Sequence, residues 1–101
     1  MSKVVYYVSY KLKKKASTSD FLAAAEKLNN EFISKQKGYV SWQQLYDGKR
    51  WVDLCTFETE EDLNNFKKLS RNPSDLAKKF YSYMNPFSIK QRFYTVEKNY
   101  Q

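Results

Sequence analysis

The sequence contains no histidine, and its 101 residues include only one cysteine, two glycines and two prolines. Without histidine, the most frequent general base and the most frequent metal ligand of proteins are both missing. A single cysteine, Cys55, excludes an internal disulfide and is typical of a reducing compartment, so we expect a cytoplasmic protein. The scarcity of glycine and proline excludes collagen-like and linker-rich chains.

Long apolar segments are absent as well. No apolar run approaches the roughly 18 residues that a membrane-spanning helix needs. The first residues enter a strand pattern at Val4 without the shape of a signal peptide. Hydrophobic residues make up 42% of the chain and charged residues 29%, which is typical of a soluble globular protein. A chain of this length has room for one core, and we predict a single domain over residues 1–101.

What the sequence has in excess is positive charge and aromatic rings. The formal net charge is +7, and aromatic residues are 18% of the chain. A small, basic, aromatic domain is a candidate for nucleic-acid binding. Only Lys11 and Lys13–Lys15 form a dense basic run, and the other basic residues are spread along the chain. A solvated surface is therefore the favoured explanation, with a phosphate-binding stripe as the alternative.

Four segments are predicted to be strands. Val4 to Leu12 is β-branched and aromatic, and both of its faces are apolar. Residues 39–46 and 50–57 flank Asp47-Gly48, a strong hairpin signal, and residues 87–96 form a last strand.

Between the strands lie segments with helical signals. Ser17 to Asp20 supply N-cap oxygens for a helix over residues 19–37, which Gly38 terminates. Thr59 opens a second helix, which continues to about Leu69 with acidic residues in its first turn. Asn72-Pro73 is a further start signal, an N-cap followed by proline.

The element order is therefore β-α-β-β-α-β, with the second helix split in two. This order predicts an α+β, ferredoxin-like antiparallel sheet with its helices on one face. The uncovered face still carries large apolar side chains, and exposed apolar area of that size usually marks an interface. A second copy of the same sheet or stacked nucleobases are the two economical occupants.

Three segments resemble a known family when taken together with this element order. They are Lys37-Gly38-Tyr39 before the second strand, Phe57 to Leu63 after the third, and Asn72-Pro73 followed by Leu76 and Phe80. The chain resembles the antibiotic biosynthesis monooxygenase-like proteins of the dimeric α+β barrel superfamily. The resemblance implies a homodimer whose two sheets face each other, and a small cavity between each sheet and its helices. It also implies oxygenase activity on electron-rich aromatic molecules without a metal or organic cofactor, although some relatives bind and degrade haem.

The chain departs from the family pattern at three positions. Phe57 stands where the family often has tryptophan, Phe66 where it often has histidine, and Ser9 near the asparagine of haem-degrading relatives. With no histidine anywhere, the usual axial haem ligand is missing, so we expect no haem. The acidic run Glu58 to Asp62 lacks metal-ligand spacing and is explained by the helix N-terminus, so we expect no metal either. We expect no cofactor of any kind.

The candidate site is a small-molecule pocket on the helix side of the sheet. A two-residue turn at Asp47-Gly48 would pair Gln44 with Trp51 and Trp42 with Asp53. This face, together with side chains from the first strand and the helices, mixes apolar walls with a few polar groups, as ligand sites do. The predicted substrate-binding residues are Tyr7, Ser9, Trp42, Gln44, Phe57, Phe66 and Phe80.

Asp53 is the predicted catalytic residue. A carboxylate midway along a strand is costly to bury, and desolvation would raise its pKa until it can accept a proton from a phenol or an enol. In the alternative interpretation, Asp53 only forms a structural pair with Arg92, a lysine or the Trp42 indole. Cys55 is interpreted as an inert buried thiol because no histidine is present to activate it.

The predicted function is that of a monooxygenase-like protein for a small aromatic or polyketide-like molecule. A non-catalytic, ligand-binding homodimer shares every one of these features. A single-stranded RNA-binding module shares the element order, but residues 50–57 lack the glycine of the usual RNA-binding motif and carry Asp53 instead. We therefore expect a homodimer with a small-molecule ligand, and neither membrane nor nucleic acid as a partner.

Overall fold

In the computed structural model, which describes residues 2–100, three α-helices cover one face of a four-stranded antiparallel sheet. Short 3-10 helices over Ile33–Lys35 and Pro86–Ser88 complete the regular structure. No helix among these residues is long and apolar enough to span a membrane. The elements are β1 (Val4–Tyr10), α1 (Thr18–Glu31), β2 (Tyr39–Tyr46), β3 (Trp51–Phe57), α2 (Glu60–Leu69), α3 (Asp75–Tyr81) and β4 (Lys90–Thr95).

The spatial order of the strands is β2-β3-β1-β4, and each neighbouring pair is antiparallel. This is the ferredoxin-like arrangement, and the predicted fold class is confirmed. β1 lies in the interior of the sheet, hydrogen-bonded to β3 on one side and to β4 on the other. Its position explains why both of its faces are apolar: one packs against the helices, and the other is the middle of the uncovered face.

Each α-helix begins at a side chain that accepts a backbone N–H. Ser17 Oγ accepts from Asp20 N at 3.3 Å, and Thr59 Oγ1 accepts from Asp62 N at 3.1 Å, as the sequence predicts. The prediction that the third helix starts at Asn72-Pro73 is wrong. α3 starts at Asp75, because Ser74 Oγ accepts from the N–H of Ala77.

Two predicted boundaries also differ from the structure. α1 ends at Glu31, not at residue 37, because the backbone of Phe32 leaves the helical region at φ −136°. Gly38 instead turns the chain into β2 with φ +81°, a conformation that favours glycine. The last strand begins at Lys90, not at Phe87, because the 3-10 helix over Pro86–Ser88 precedes it.

The β2–β3 hairpin is present, but its register is shifted by two residues from the predicted one. The Asp47 N–H donates to Arg50 O at 3.2 Å, so Gly48 and Lys49 form the tip of the turn. The Asp47 side chain also accepts the N–H groups of Lys49 and Arg50, both at 2.8 Å, which stabilises this turn. A shift of two residues leaves every side chain on its predicted face, because strand side chains alternate with period two.

The core lies between the sheet and the helices and is built around Phe21 of α1. The Phe21 ring is fully buried and lies 5.2 Å, centroid to centroid, from the rings of Trp51 and Phe80. Tyr10 packs against it edge-on at 5.9 Å. These contacts hold α1 and α3 against the centre of the sheet and so set the positions of the site residues.

The other face of the sheet is not covered by any element of residues 2–100. We call it the open face and define it by the residues at the middle of the strands, which the registers bring side by side: Val5, Tyr7, Val52, Leu54, Thr56 and Tyr94. Of these, only Tyr94 is largely exposed, and the others are half-buried by their neighbours in the sheet.

Candidate functional site

The candidate site is a row of side chains that crosses the sheet on its helix side. Asp53 of β3 lies directly opposite Val8 of β1 and Gln44 of β2. One pair further along, Cys55 lies opposite Tyr6 and Trp42. In β3, buried positions alternate strictly with half-buried ones, and this alternation directs Asp53 toward the helices.

Asp53 is buried and forms one short hydrogen bond. The hydroxyl of Tyr10 donates to Asp53 Oδ1 at 2.8 Å, and Tyr10 is completely inaccessible to solvent. Arg92 is not its partner, because Arg92 lies opposite Tyr7 on the open face. Of the partners that the purely structural interpretation names, Arg92 is therefore excluded, whereas the Trp42 indole is near enough to lower the pKa of the Asp53 carboxyl.

Burial dominates the electrostatics of Asp53. Desolvation raises the pKa of its carboxyl to about 7, although the donor groups of Tyr10, Gln44 and Trp42 act in the opposite direction. The same burial raises the pKa of the Tyr10 hydroxyl, and the Asp53 charge raises it further. Tyr10 therefore stays protonated and donates, while Asp53 can exchange a proton near neutral pH.

Gln44 lies beside this pair, close enough to act on the Asp53 carboxyl but not in the geometry of a complete hydrogen bond. Its amide nitrogen Nε2 is buried and has no hydrogen-bond partner among residues 2–100. Buried polar groups are nearly always paired, and an unpaired donor costs about 1–3 kcal/mol. An oxygen atom of a ligand or a water molecule next to Asp53 would satisfy this amide.

Asp53 lies at a cavity of about 40 Å³ between the sheet and the helices. The walls of this inner cavity are largely apolar, with the Asp53 carboxyl, the Cys55 thiol and two tyrosines as the polar groups. Its lining residues are Tyr6, Val8, Leu28, Ile33, Trp42, Asp53, Cys55, Phe66, Phe80 and Tyr81.

Most of the predicted site residues meet at this cavity. Trp42, Asp53, Phe66 and Phe80 line it, and Gln44 lies next to Asp53 in the sheet. Phe57 does not line it: its fully buried ring packs instead against the ring of Phe66 at 5.2 Å, at the end of β3. Phe57 therefore supports one wall from behind.

Tyr7 and Ser9 are not part of the site, and their predicted role is wrong. Tyr7 lies on the open face, edge-on to Tyr94 at 6.2 Å, and Ser9 Oγ accepts a hydrogen bond from Arg50 Nε at 2.8 Å. Because both faces of β1 are apolar, the alternation does not show which face meets the helices.

Sequence reasoning missed three tyrosines, Tyr6, Tyr10 and Tyr81. Tyr6 and Tyr10 alternate with Val8, so assigning that set to the helix side would have found them. Tyr81 ends α3, and nothing in its sequence context marks it.

Cys55 is buried and unpaired, as expected for a structural thiol. Burial and the nearby Asp53 raise the pKa of its thiol to about 12, so it stays protonated and is a poor nucleophile. Among residues 2–100, no group of three or more cysteine, aspartate and glutamate side chains is placed to share a metal ion.

Comparison of the sequence with protein-family models finds no match, and its comparison with curated proteins finds no significant one. Solved structures do match. SnoaB, a cofactor-independent oxygenase from Streptomyces nogalater, superposes with a TM-score of 0.74 at 10% identity, over 98% of this chain and 97% of that one. The ActVA-Orf6 monooxygenase of Streptomyces coelicolor, solved with nanaomycin D, has a TM-score of 0.69 at 19% identity, over 99% and 92% of the two chains.

A third neighbour bears on assembly. A dimeric ferredoxin-like protein from an uncultured marine organism has a TM-score of 0.66 at 9% identity, over 100% of this chain and 93% of the other. These likenesses confirm the fold that the sequence resemblance implies, the fold of monooxygenases that include cofactor-independent ones. A fold hosts many functions, so activity has to be argued from the site.

Proposed function

We propose that this protein is a cofactor-independent oxygenase for a small, electron-rich aromatic or polyketide-like molecule bound between the sheet and the helices. The observation that carries the proposal is the buried Asp53–Tyr10 pair at the inner cavity, with the unpaired Gln44 amide beside it. The likeness of the fold to two monooxygenases supports it.

In this proposal, Asp53 accepts a proton from an acidic carbon or a phenol of the ligand. The resulting carbanion reacts with O₂ to form a carbon–oxygen bond, and the hydroperoxide then loses water to leave a carbonyl group. One atom of O₂ ends in the product and the other in water, and the substrate itself supplies the electrons. The residues of the chain hold and move protons and exclude water, and O₂ is a substrate.

The neighbouring side chains orient the ligand. Tyr10 donates to Oδ1 of Asp53, and the other carboxyl oxygen accepts the proton of the ligand. The Gln44 amide donates to a ligand oxygen and stabilises the negative charge that develops there. The aromatic rings of Trp42, Phe66 and Phe80 form the walls against which a flat ligand stacks.

Oxygen consumption with anthrone, a three-ring carbon acid, tests this function. We expect the wild-type protein to consume O₂, and Asp53→Asn to reduce kcat at least about 100-fold, because a positioned base contributes that much. Asp75→Asn is the matched control: Asp75 is exposed in the first turn of α3, and activity should be unchanged. Since only the carboxylate accepts a proton, kcat/KM should rise with pH through about 7 and then level off.

Full activity of Asp53→Asn would remove Asp53 from this role. Tight binding of an aromatic ligand without any oxygen consumption would favour the non-catalytic, ligand-binding alternative.

We also propose that two copies of the chain pack through their open faces. On the two central strands, β1 and β3, the open face carries Val5, Val52 and Leu54 and no charged side chain, while Arg92 lies on the edge strand β4; this favours a second sheet over nucleobases as the occupant. A dimeric protein of the same fold supports this assembly. The single, buried cysteine is in keeping with a cytoplasmic location, which we propose as well.

A charge at the centre of the open face should separate the two copies. We expect Leu54→Lys to change the solution mass from that of a dimer to that of a monomer, because the lysine would have to be buried unpaired. Leu22→Lys replaces a leucine that is already exposed on α1, and it should leave the dimer intact. Light scattering at micromolar concentration measures both, and a monomeric wild-type protein would contradict the proposal.

A further inference from the structure

A second cavity of about 30 Å³ lies among the three helices and shares walls with the inner one. Leu28, Ile33, Phe66 and Tyr81 line both cavities. The outer cavity is otherwise bounded by Phe32 at the end of α1 and by α2, α3 and the segment that joins those two helices. Its remaining lining residues are Phe32, Leu69, Ser70, Pro73, Ser74 and Ala77.

Neither cavity is large enough for a ring. A single benzene occupies an apolar cavity of about 150 Å³, and neither cavity has half of that volume. An aromatic ligand can therefore reach Asp53 only if a side chain between the two cavities moves.

Of the four shared side chains, Tyr81 is the one that is free to move. Leu28 and Ile33 belong to the buried core, and the Phe66 ring is packed against Phe57. Tyr81 is 42% exposed at the last position of α3, and its ring contacts that of Phe80 edge-on at 5.4 Å. Exposed side chains change rotamer within nanoseconds, whereas packed core side chains do not.

The hydroxyl of Tyr81 has a different environment from its exposed ring. Burial raises the pKa of this hydroxyl, and Asp53 and Cys55 raise it further. The side chain thus has an exposed ring and a buried hydroxyl end, and it forms part of the wall of both cavities.

We propose that Tyr81 is the specificity-determining residue of this site, which admits ligands by swinging outward and joins the two cavities into one elongated pocket. This inference rests on the proposed function for the position of the reacting group at Asp53. The joined pocket has a polar end at Asp53 and Gln44 and an apolar end between the helices. With the space that the Tyr81 side chain vacates, this pocket favours an elongated aromatic ligand with a hydroxyl or carbonyl group at one end over a single ring.

Association rates with two probes of different size test this role. Nanaomycin D is the multi-ring probe and phenol the single-ring probe, and quenching of tryptophan fluorescence reports binding because Trp42 lines the inner cavity. We expect Tyr81→Ala to accelerate nanaomycin D association about tenfold and phenol association less. Tyr81→Phe keeps the ring, and its association rates should stay within about twofold of the wild-type rates.

Two further variants serve as controls. Tyr81→Leu retains an apolar contact with Phe80 and tests the same prediction if the alanine variant does not fold. Tyr46→Ala removes another exposed tyrosine ring, one that lines neither cavity, and it should not alter either rate.

The results separate this inference from the proposed function. If Tyr81→Ala accelerates nanaomycin D association more than phenol association while no variant consumes O₂, the role of Tyr81 stands and the oxygenase function fails. If Asp53→Asn abolishes oxygen consumption but Tyr81→Ala and Tyr81→Leu leave both association rates unchanged, the oxygenase function stands and the role of Tyr81 is overturned.

Discussion

Asp53→Asn is expected to make the protein more stable at pH 8, by up to about 4 kcal/mol. Burial raises the pKa of this carboxyl to about 7 in the folded state, against about 3.9 in the unfolded chain. The folded state thus binds the proton more tightly, and this stabilisation is complete below about pH 4 and is lost as the pH rises through about 7. Asparagine has the shape of the protonated acid and never ionises, so it avoids the loss.

Urea unfolding of the two proteins from pH 5 to pH 8 measures this effect. The difference in free energy of unfolding should grow by about 2.5 kcal/mol over that range, at one fixed protein concentration. Tyr10→Phe is the companion variant. It removes the hydrogen bond that favours the carboxylate, so the pH at which the fall in stability levels off should move upward. A difference that is constant with pH would show that Asp53 does not titrate in this range.

The buried Asp53 carboxylate is a cost to stability at neutral pH, which is unusual for a residue with a purely structural role. A buried carboxylate that weakens the fold at neutral pH gains nothing for stability over its amide. Groups with such shifted pKa values concentrate at functional sites, where the fold tolerates a local cost. Loss of oxygen consumption together with a gain of stability in Asp53→Asn would be the expected pattern for a catalytic base.

Gly38→Ala is expected to destabilise the protein by about 3 kcal/mol or more. Gly38 has φ +81°, and a Cβ atom there would overlap the side chain of Asp62 in the first turn of α2. The approach is close because Gly38 O also accepts the N–H of Glu58 at 2.7 Å, which ties this turn to the end of β3. The chain cannot move away without breaking that bond.

Gly48→Ala is a matched control that measures the cost of an alanine at positive φ without a steric clash. Its φ is +97°, but a Cβ atom there would meet no other atom within 4 Å. Gly48→Ala should therefore cost only about 1 kcal/mol, the strain of an L-residue at positive φ. Equal costs at the two glycines would contradict the steric argument.

The clash itself can be isolated with a double-mutant cycle. Asp62→Gly, which also removes the Asp62 Cβ atom that the new Cβ would meet at 2.6 Å, should recover at least about 1 kcal/mol in the Gly38→Ala background relative to the sum of the single changes. Chemical denaturation of the four proteins measures this coupling.

The sequence predicted most of the secondary structure, because the signals that start or end an element lie within a few residues of it. The N-caps at Ser17 and Thr59 and the hairpin at Asp47-Gly48 are decided by side chains that bond their own neighbours. The same local reasoning erred at Asn72-Pro73, where Ser74 two residues on is the cap, and at Gly38, which contacts α2 and does not end α1. The close approach of Gly38 to Asp62 joins segments that are distant in the sequence, so the residues next to Gly38 do not predict it.

The candidate site was likewise predicted only in part. Three of its side chains were predictable from the residue types: the carboxylate amid apolar neighbours at Asp53, and the tryptophan and glutamine on the second strand, Trp42 and Gln44. The sequence did not predict which face of β1 meets the helices. Both faces are apolar, so the strand by itself gains a similar burial energy from either choice. Packing against Phe21 and Phe80 settles that choice, and it places Tyr10 on Asp53 and leaves Tyr7 outside. Tyr81 reaches the cavity only because α3 packs across α1, a contact between segments some fifty residues apart that no local pattern encodes.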